Sequence, residues 1–78
     1  MKLLVRNLAR TTTEAEIRAL FEDHGTVEYC TLVMDAESGQ SKGFGFVEMP
    51  QEKEAKSAID ALNGQKIDKS KIRVKPAE

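Results

Sequence analysis

The residues with the most specific chemistry to offer lie between Lys42 and Met49, in the run Lys-Gly-Phe-Gly-Phe-Val-Glu-Met. Two phenylalanines stand two positions apart, with a glycine on each side of the first. In an extended strand, successive side chains point to opposite faces. Phe44 and Phe46 therefore share one face with Lys42 and Glu48, while Gly45, Val47 and Met49 take the other. Rings beside a cation form a surface on which a planar group can stack and near which an anion can rest. The opposite face reads as core.

Catalytic and metal chemistry is poorly supplied. The single cysteine, Cys30, excludes an internal disulfide and any multi-cysteine metal site. It lies between Tyr29 and Thr31 in a strand-like run, which reads as a small buried hydrophobe. The single histidine, His24, sits beside Gly25 at a predicted helix end, where a cation is favourable. No nucleophile and base are placed to work together. We therefore expect no enzyme activity, no metal and no cofactor.

The elements that must position the rings follow from periodicity. Leu3 to Leu8 reads as a first strand, with Leu3 and Val5 on one face and Leu4 and Arg6 on the other. Thr13-Glu14-Ala15-Glu16 fits a capping box. The helix after it carries Ile17, Leu20 and Phe21 on one side, and Gly25 is its expected stop. Val27 to Met34 reads as a second strand, with Cys30 and Leu32 inward and Tyr29, Thr31 and Val33 outward. Asp35 to Ser41 is a polar turn. The phenylalanine strand follows and ends at Pro50, a residue tolerated in the first turn of a helix. Ala55, Ala58, Ile59 and Leu62 make the apolar stripe of a second helix, stopped by Asn63-Gly64. Ile67 falls in a short connection. Ile72 and Val74 belong to a fourth strand, with Arg73 and Lys75 on its other side.

The order is strand, helix, strand, strand, helix, strand. It predicts an α+β domain spanning residues 1–78: a βαββαβ ferredoxin-like two-layer sandwich. Right-handed crossovers place both helices on one face of a four-stranded antiparallel sheet. Val47 and Met49 match the helices, so Phe44 and Phe46 go to the open face. The first and third strands are expected at the centre.

Charge sorts in the same way. The 78 residues are 40% apolar and 32% charged, with a net charge of −1. That balance argues against a protein that coats nucleic acid by bulk charge. Alternation nevertheless puts Lys2, Arg6, Lys42, Arg73 and Lys75 on the open face, against Glu48 alone. The helices hold Arg18, Lys53 and Lys56 against seven carboxylates, Glu14 and Asp60 among them. A near-neutral chain can so present a basic face and an acidic back.

Lys42 to Met49 resembles the eight-residue RNP motif of RNA-recognition-motif (RRM) domains, [KR]-G-[FY]-[GA]-F-V-x-[FY]. Met49 is the one departure, in place of an aromatic. Leu3 to Leu8 is similar to the family's six-residue motif, keeping Val-x-Asn-Leu but with Leu4 where an aromatic is usual. The combination looks like small bacterial members of the family. The resemblance implies single-stranded RNA as the partner, with single-stranded DNA or a protein as other partners of this fold. It implies Phe46 as the base-stacking ring, Phe44 against sugars, Lys42 on a phosphate and Leu4 at the place of a second ring. Tyr29 offers another ring, and Arg6, Arg73 and Lys75 a basic flank. Affinity is expected to be modest and specificity loose, because one ring is missing and little chain follows the fourth strand.

Two other readings deserve statement. A protein-interaction module on the same fold is favoured by Leu4. An enzyme of the acylphosphatase kind needs an anion-cradling loop after the first strand, and Asn7-Leu8-Ala9-Arg10 has no glycine there. No apolar run approaches the roughly 18 residues of a membrane helix, and the first residues are too short an apolar stretch for a signal peptide. A cytoplasmic monomer is expected, nuclear if the source is a eukaryote. A start at Met1 reads as a whole protein or an N-terminal piece.

Overall fold

Apolar residues at alternate strand positions give the sheet one face that has to be covered. In a computed structural model, which describes residues 1–77, that face is buried under two helices. The elements in chain order are β1 (Lys2–Arg6), α1 (Glu14–Glu22), β2 (Tyr29–Met34), β3 (Ser41–Glu48), α2 (Glu52–Leu62), β4 (Lys66–Ile67), β5 (Ser70–Lys71) and β6 (Arg73–Pro76). The main sheet has the order β2-β3-β1-β6, with every pairing antiparallel. The first and third strands are central, as the topology requires. No helix among the described residues is long and apolar enough to cross a membrane.

Leu3, Val5, Val47, Met49, Ile72 and Val74 enter the core from the sheet side. Ile17 and Phe21 meet them from α1, and Ala55, Ala58 and Leu62 from α2. The small alanines let α2 lie close to the strands. The predicted capping box is present: the Thr13 hydroxyl accepts from the Glu16 N–H at 3.2 Å, and Glu16 accepts from the Thr13 N–H at 3.4 Å. Such a cap satisfies N–H groups that the first helical turn leaves without partners.

Several boundaries differ from the sequence reading. β1 stops at Arg6 rather than Leu8, because Asn7 adopts a left-handed conformation with φ 59°. Asparagine tolerates that region better than most residues. The turn drives Leu8 into the core and lets its N–H donate to the Gly43 carbonyl at 2.9 Å. β2 begins at Tyr29, although the Glu28 N–H already donates to the Glu48 carbonyl at 2.8 Å. α1 is capped at Asp23, two residues before Gly25. Pro50 lies before the α2 cap, Gln51, and not in the first turn.

The connection containing Ile67 is a hairpin, β4 paired with β5. Its turn residues Asp68 and Lys69 are both left-handed, with φ of 49° and 69°. Such turns favour Asn-Gly or Asp-Gly, so Asp-Lys carries little local signal. Tertiary bonds hold it instead. The Thr12 hydroxyl donates to Asp68 at 2.8 Å, and the Asn7 amide donates to the Lys71 carbonyl at 2.7 Å.

Gly45 shows why β3 carries a glycine between its rings. It pairs with Val5 on one side and Leu32 on the other. A Cβ built there would run into the Thr31 carbonyl oxygen and crowd the Leu32 Cα at 3.2 Å. Backbone, unlike a flexible side-chain tip, yields little. Gly45→Ala should therefore lower stability by about 1–3 kcal/mol, read as an earlier urea midpoint. A midpoint equal to the parent's would mean that β2 yields at Thr31 without cost.

Candidate nucleic-acid interface

Register decides which open-face residues are neighbours. Leu4 pairs with Phe46 and with Lys75, and Thr31 pairs with Phe46 from the other side. Leu4, Phe46, Thr31 and Lys75 thus form one row across the sheet. Lys2, Glu48 and Tyr29 form a second row. Arg6 pairs directly with Arg73 in a third.

Phe44 and Phe46 stand edge to face, with centroids 6.3 Å apart and planes at 89°. Neither enters the helix-covered core. The Lys2 ammonium lies 4.6 Å from the Phe46 centroid, a cation–π contact. Tyr29, at the outer strand, is 40% exposed. Glu48 is engaged: its Oε2 lies 3.0 Å from the Met1 amino group, an ion pair without the directed geometry of a hydrogen bond.

The alternation that places Lys42 is interrupted. The β2–β3 register shifts between Leu32 and Met34, so that Met34 faces Ser41. Gly43 absorbs the irregularity with φ 87°. Lys42 is nevertheless exposed and joins Phe44 and Arg6 around a shallow cleft of about 270 Å³. A second shallow cleft, about 510 Å³, lies between Arg6, Asn63, Arg73 and Lys75. The structure so groups Phe44, Phe46, Leu4, Lys42, Arg6, Arg73 and Lys75 on one surface, with Tyr29 toward its edge.

Three residues at this surface were not singled out by sequence reasoning. Arg10 lines the cleft with Lys42 and Phe44, and Asn7 lines both clefts. Asn63 lines the larger one while its side-chain Oδ1 accepts from the Val74 N–H at 3.0 Å. Arg10 lies outside any strand pattern. It arrives only because the Asn7 turn and the Leu8–Gly43 bond fold the connection against β3.

Comparisons agree with this architecture. The RNA recognition motif family model matches residues 3–73. The chain belongs to the RNA recognition motif family. It is 42% identical over 77 residues to a 28 kDa chloroplastic ribonucleoprotein of Spinacia oleracea, covering 99% of this chain and 33% of that protein. It is 45% identical over 64 residues to a putative RNA-binding protein, RbpA, of Nostoc, covering 82% of this chain and 63% of that protein. Among solved structures, the RNA-binding protein PG1 superposes with TM-score 0.94 at 38% identity, covering 99% and 93% of the two chains. A Sex-lethal protein–RNA complex superposes with TM-score 0.93 at 31% identity, covering 99% of this chain and 46% of that one. The chain spans between about a quarter and a third of the length of the chloroplast relatives it matches.

Within this RRM, Cys30 is set apart from the interface. It is buried on the helix side, with its Sγ 3.8 Å from the Glu14 carbonyl oxygen. Burial, then the Glu14 carboxylate, push its thiol up to about 11. The folded state thus holds the proton more tightly than the unfolded chain. Stability linked to this thiol is complete below about pH 9 and is lost as pH rises towards 11. At pH 8 the native protein should react with a thiol reagent roughly tenfold or more slower than the urea-unfolded chain. Equal rates would contradict this placement.

Proposed function

We propose that this RRM binds single-stranded RNA on the open face of its sheet and catalyses no reaction. The observation that carries the reading is the Phe44–Phe46 pair, held outside the core and ringed by cations. Single-stranded nucleic acid is held by just this combination, bases stacked on rings and phosphates met by Lys and Arg. The matched relatives support the reading, since their names describe ribonucleoproteins and RNA-binding proteins, and one matched structure is a protein–RNA complex.

In this reading a base stacks on Phe46. The Lys2 ammonium, now over that ring, yields or shares its place when the base arrives. Phe44, edge-on to Phe46, meets the sugar beside it. Leu4, directly across from Phe46, gives apolar contact where a ring would stack. Tyr29 extends the surface toward β2, and Lys42, Arg6, Arg73 and Lys75 meet phosphates. One stacking ring instead of two gives modest affinity. Stacking tolerates any base, because every base has a π-face, so specificity is loose.

Two substitutions test the stacking row. Phe46→Ala should weaken binding of a short single-stranded RNA roughly tenfold to 100-fold at fixed salt, the value of about 1–3 kcal/mol per stacked base. A folded mutant with parental affinity would sink the mechanism. Leu4→Tyr places a second ring opposite Phe46 and should tighten binding, by about 30-fold at the middle of the same range. Unchanged affinity would mean that a ring at position 4 has no base to meet. A single-stranded DNA of the same sequence, titrated in parallel, measures how far the 2′-hydroxyl matters.

A further inference from the structure

We propose that the end of the sheet where β1 finishes is a phosphate rim, built from the two clefts that share Arg6, and that it holds two successive phosphates of one RNA strand. The inference deepens the RNA-binding reading and rests on it for the identity of the ligand. It adds Arg10, Asn7 and Asn63 to the interface and gives the phosphates a place at one side of the sheet.

The first support is shared geometry. Arg6 and Asn7 line both clefts. On one side stand Arg10, Lys42 and Phe44, and on the other Asn63, Arg73 and Lys75. The rim therefore runs from β3 across β1 to β6, at right angles to the strands. At a strand spacing of about 4.8 Å it spans roughly 10 Å, room for two phosphates and the sugar between them.

The second support is uncompensated charge. Arg6 and Arg73 face each other directly across the β1–β6 ladder, and like charges so placed are unfavourable. Among the described residues, Arg6, Arg10, Lys42, Arg73 and Lys75 form no ion pair. The carboxylate of the open face, Glu48, sits at the far end of β3 and is engaged with Met1. Arg6, Arg10, Lys42 and Arg73 gather toward one end of the sheet, with Lys75 one row nearer its middle, and among the described residues no carboxylate pairs with them. An anion resolves that repulsion, and a doubly charged or repeating anion does so best.

The arrangement separates a phosphate side from a base side. Phosphates lie along the Arg6 end, and bases reach from there along the strands toward Phe46 and the Lys2–Glu48–Tyr29 row. Arg6, between the clefts, serves both phosphates, whereas Arg10 serves one.

The test is the salt dependence of binding to a short single-stranded RNA, measured for Arg6→Gln, Arg10→Gln and, as a control on α2, Lys56→Gln. Each phosphate contact on a single strand contributes about 0.7 to the slope of log K against log salt. Arg10→Gln should lower the slope by about 0.7 and weaken binding roughly fivefold. Arg6→Gln also removes one charge and should lower it by a similar amount, and the double substitution Arg6→Gln/Arg10→Gln by about twice as much. Lys56→Gln should leave it unchanged. A parental slope for Arg10→Gln or for Arg6→Gln overturns the shared rim. Pyrophosphate, two linked phosphates with no base, gives a second readout by NMR. The rim requires shifts at the Arg6 and Arg10 side chains in the parent protein, and their absence overturns it. If pyrophosphate shifts these arginines while Phe46→Ala leaves RNA affinity unchanged, the stacking mechanism fails and the rim stands.

Discussion

The antiparallel pairing of β1 with β3 at the centre of the sheet governs the rest of this structure. It sets Leu3 against Val47 on the buried face and Leu4 against Phe46 on the open one. A slip of one residue would send Phe44 and Phe46 into the core and Val47 and Met49 into water. The core resists that slip, because Leu3, Val5, Val47 and Met49 are all buried under the two helices. The rings lie half-buried on the open face as a consequence of what their neighbours must bury.

Close approach adds a second constraint. Gly45 brings β2 near enough that its own missing side chain is the space Thr31 occupies. The glycine so sits on the buried side of β3 and tightens the platform that carries the rings on the other side. The Phe44–Phe46 contact at right angles then leaves the two rings with different tasks. One can offer a face to a base, and the other an edge beside it.

Electrostatics divides the molecule along the same plane. Cations with no carboxylate partner among the described residues gather at the β1 end of the open face, whereas the ion pairs of Arg18 with Glu22 and Lys56 with Glu52 lie within the helices. Those helical pairs, at i and i+4 on exposed surface, contribute little. The unpaired cations cost something in the free protein at Arg6 and Arg73. That cost would be recovered when an anion binds, so a small loss of stability is exchanged for attraction to a polyanion.

Much of this was legible in the residues themselves. Alternation in Leu3–Val5, in Phe44–Val47 and in Ile72–Val74 assigned faces, and the 3.6-residue spacing of Ile17–Phe21 and Ala55–Leu62 assigned helices. Together they required two helices on one side and open rings on the other. Those patterns are local, and burial of alternate residues is enough to enforce them. What lay outside them depends on contacts between residues far apart in the chain. Asn7 turns left-handed and binds Lys71, Thr12 binds Asp68, and Leu8 binds Gly43. These bonds anchor the β4–β5 hairpin, bring Arg10 beside Lys42 and shape the two clefts around Arg6. The sequence by itself determined that the rings face away from the helices, because periodicity settles which side a strand residue faces. Tertiary structure alone decided the basic rim, because a connecting segment has no period from which its neighbours could be read.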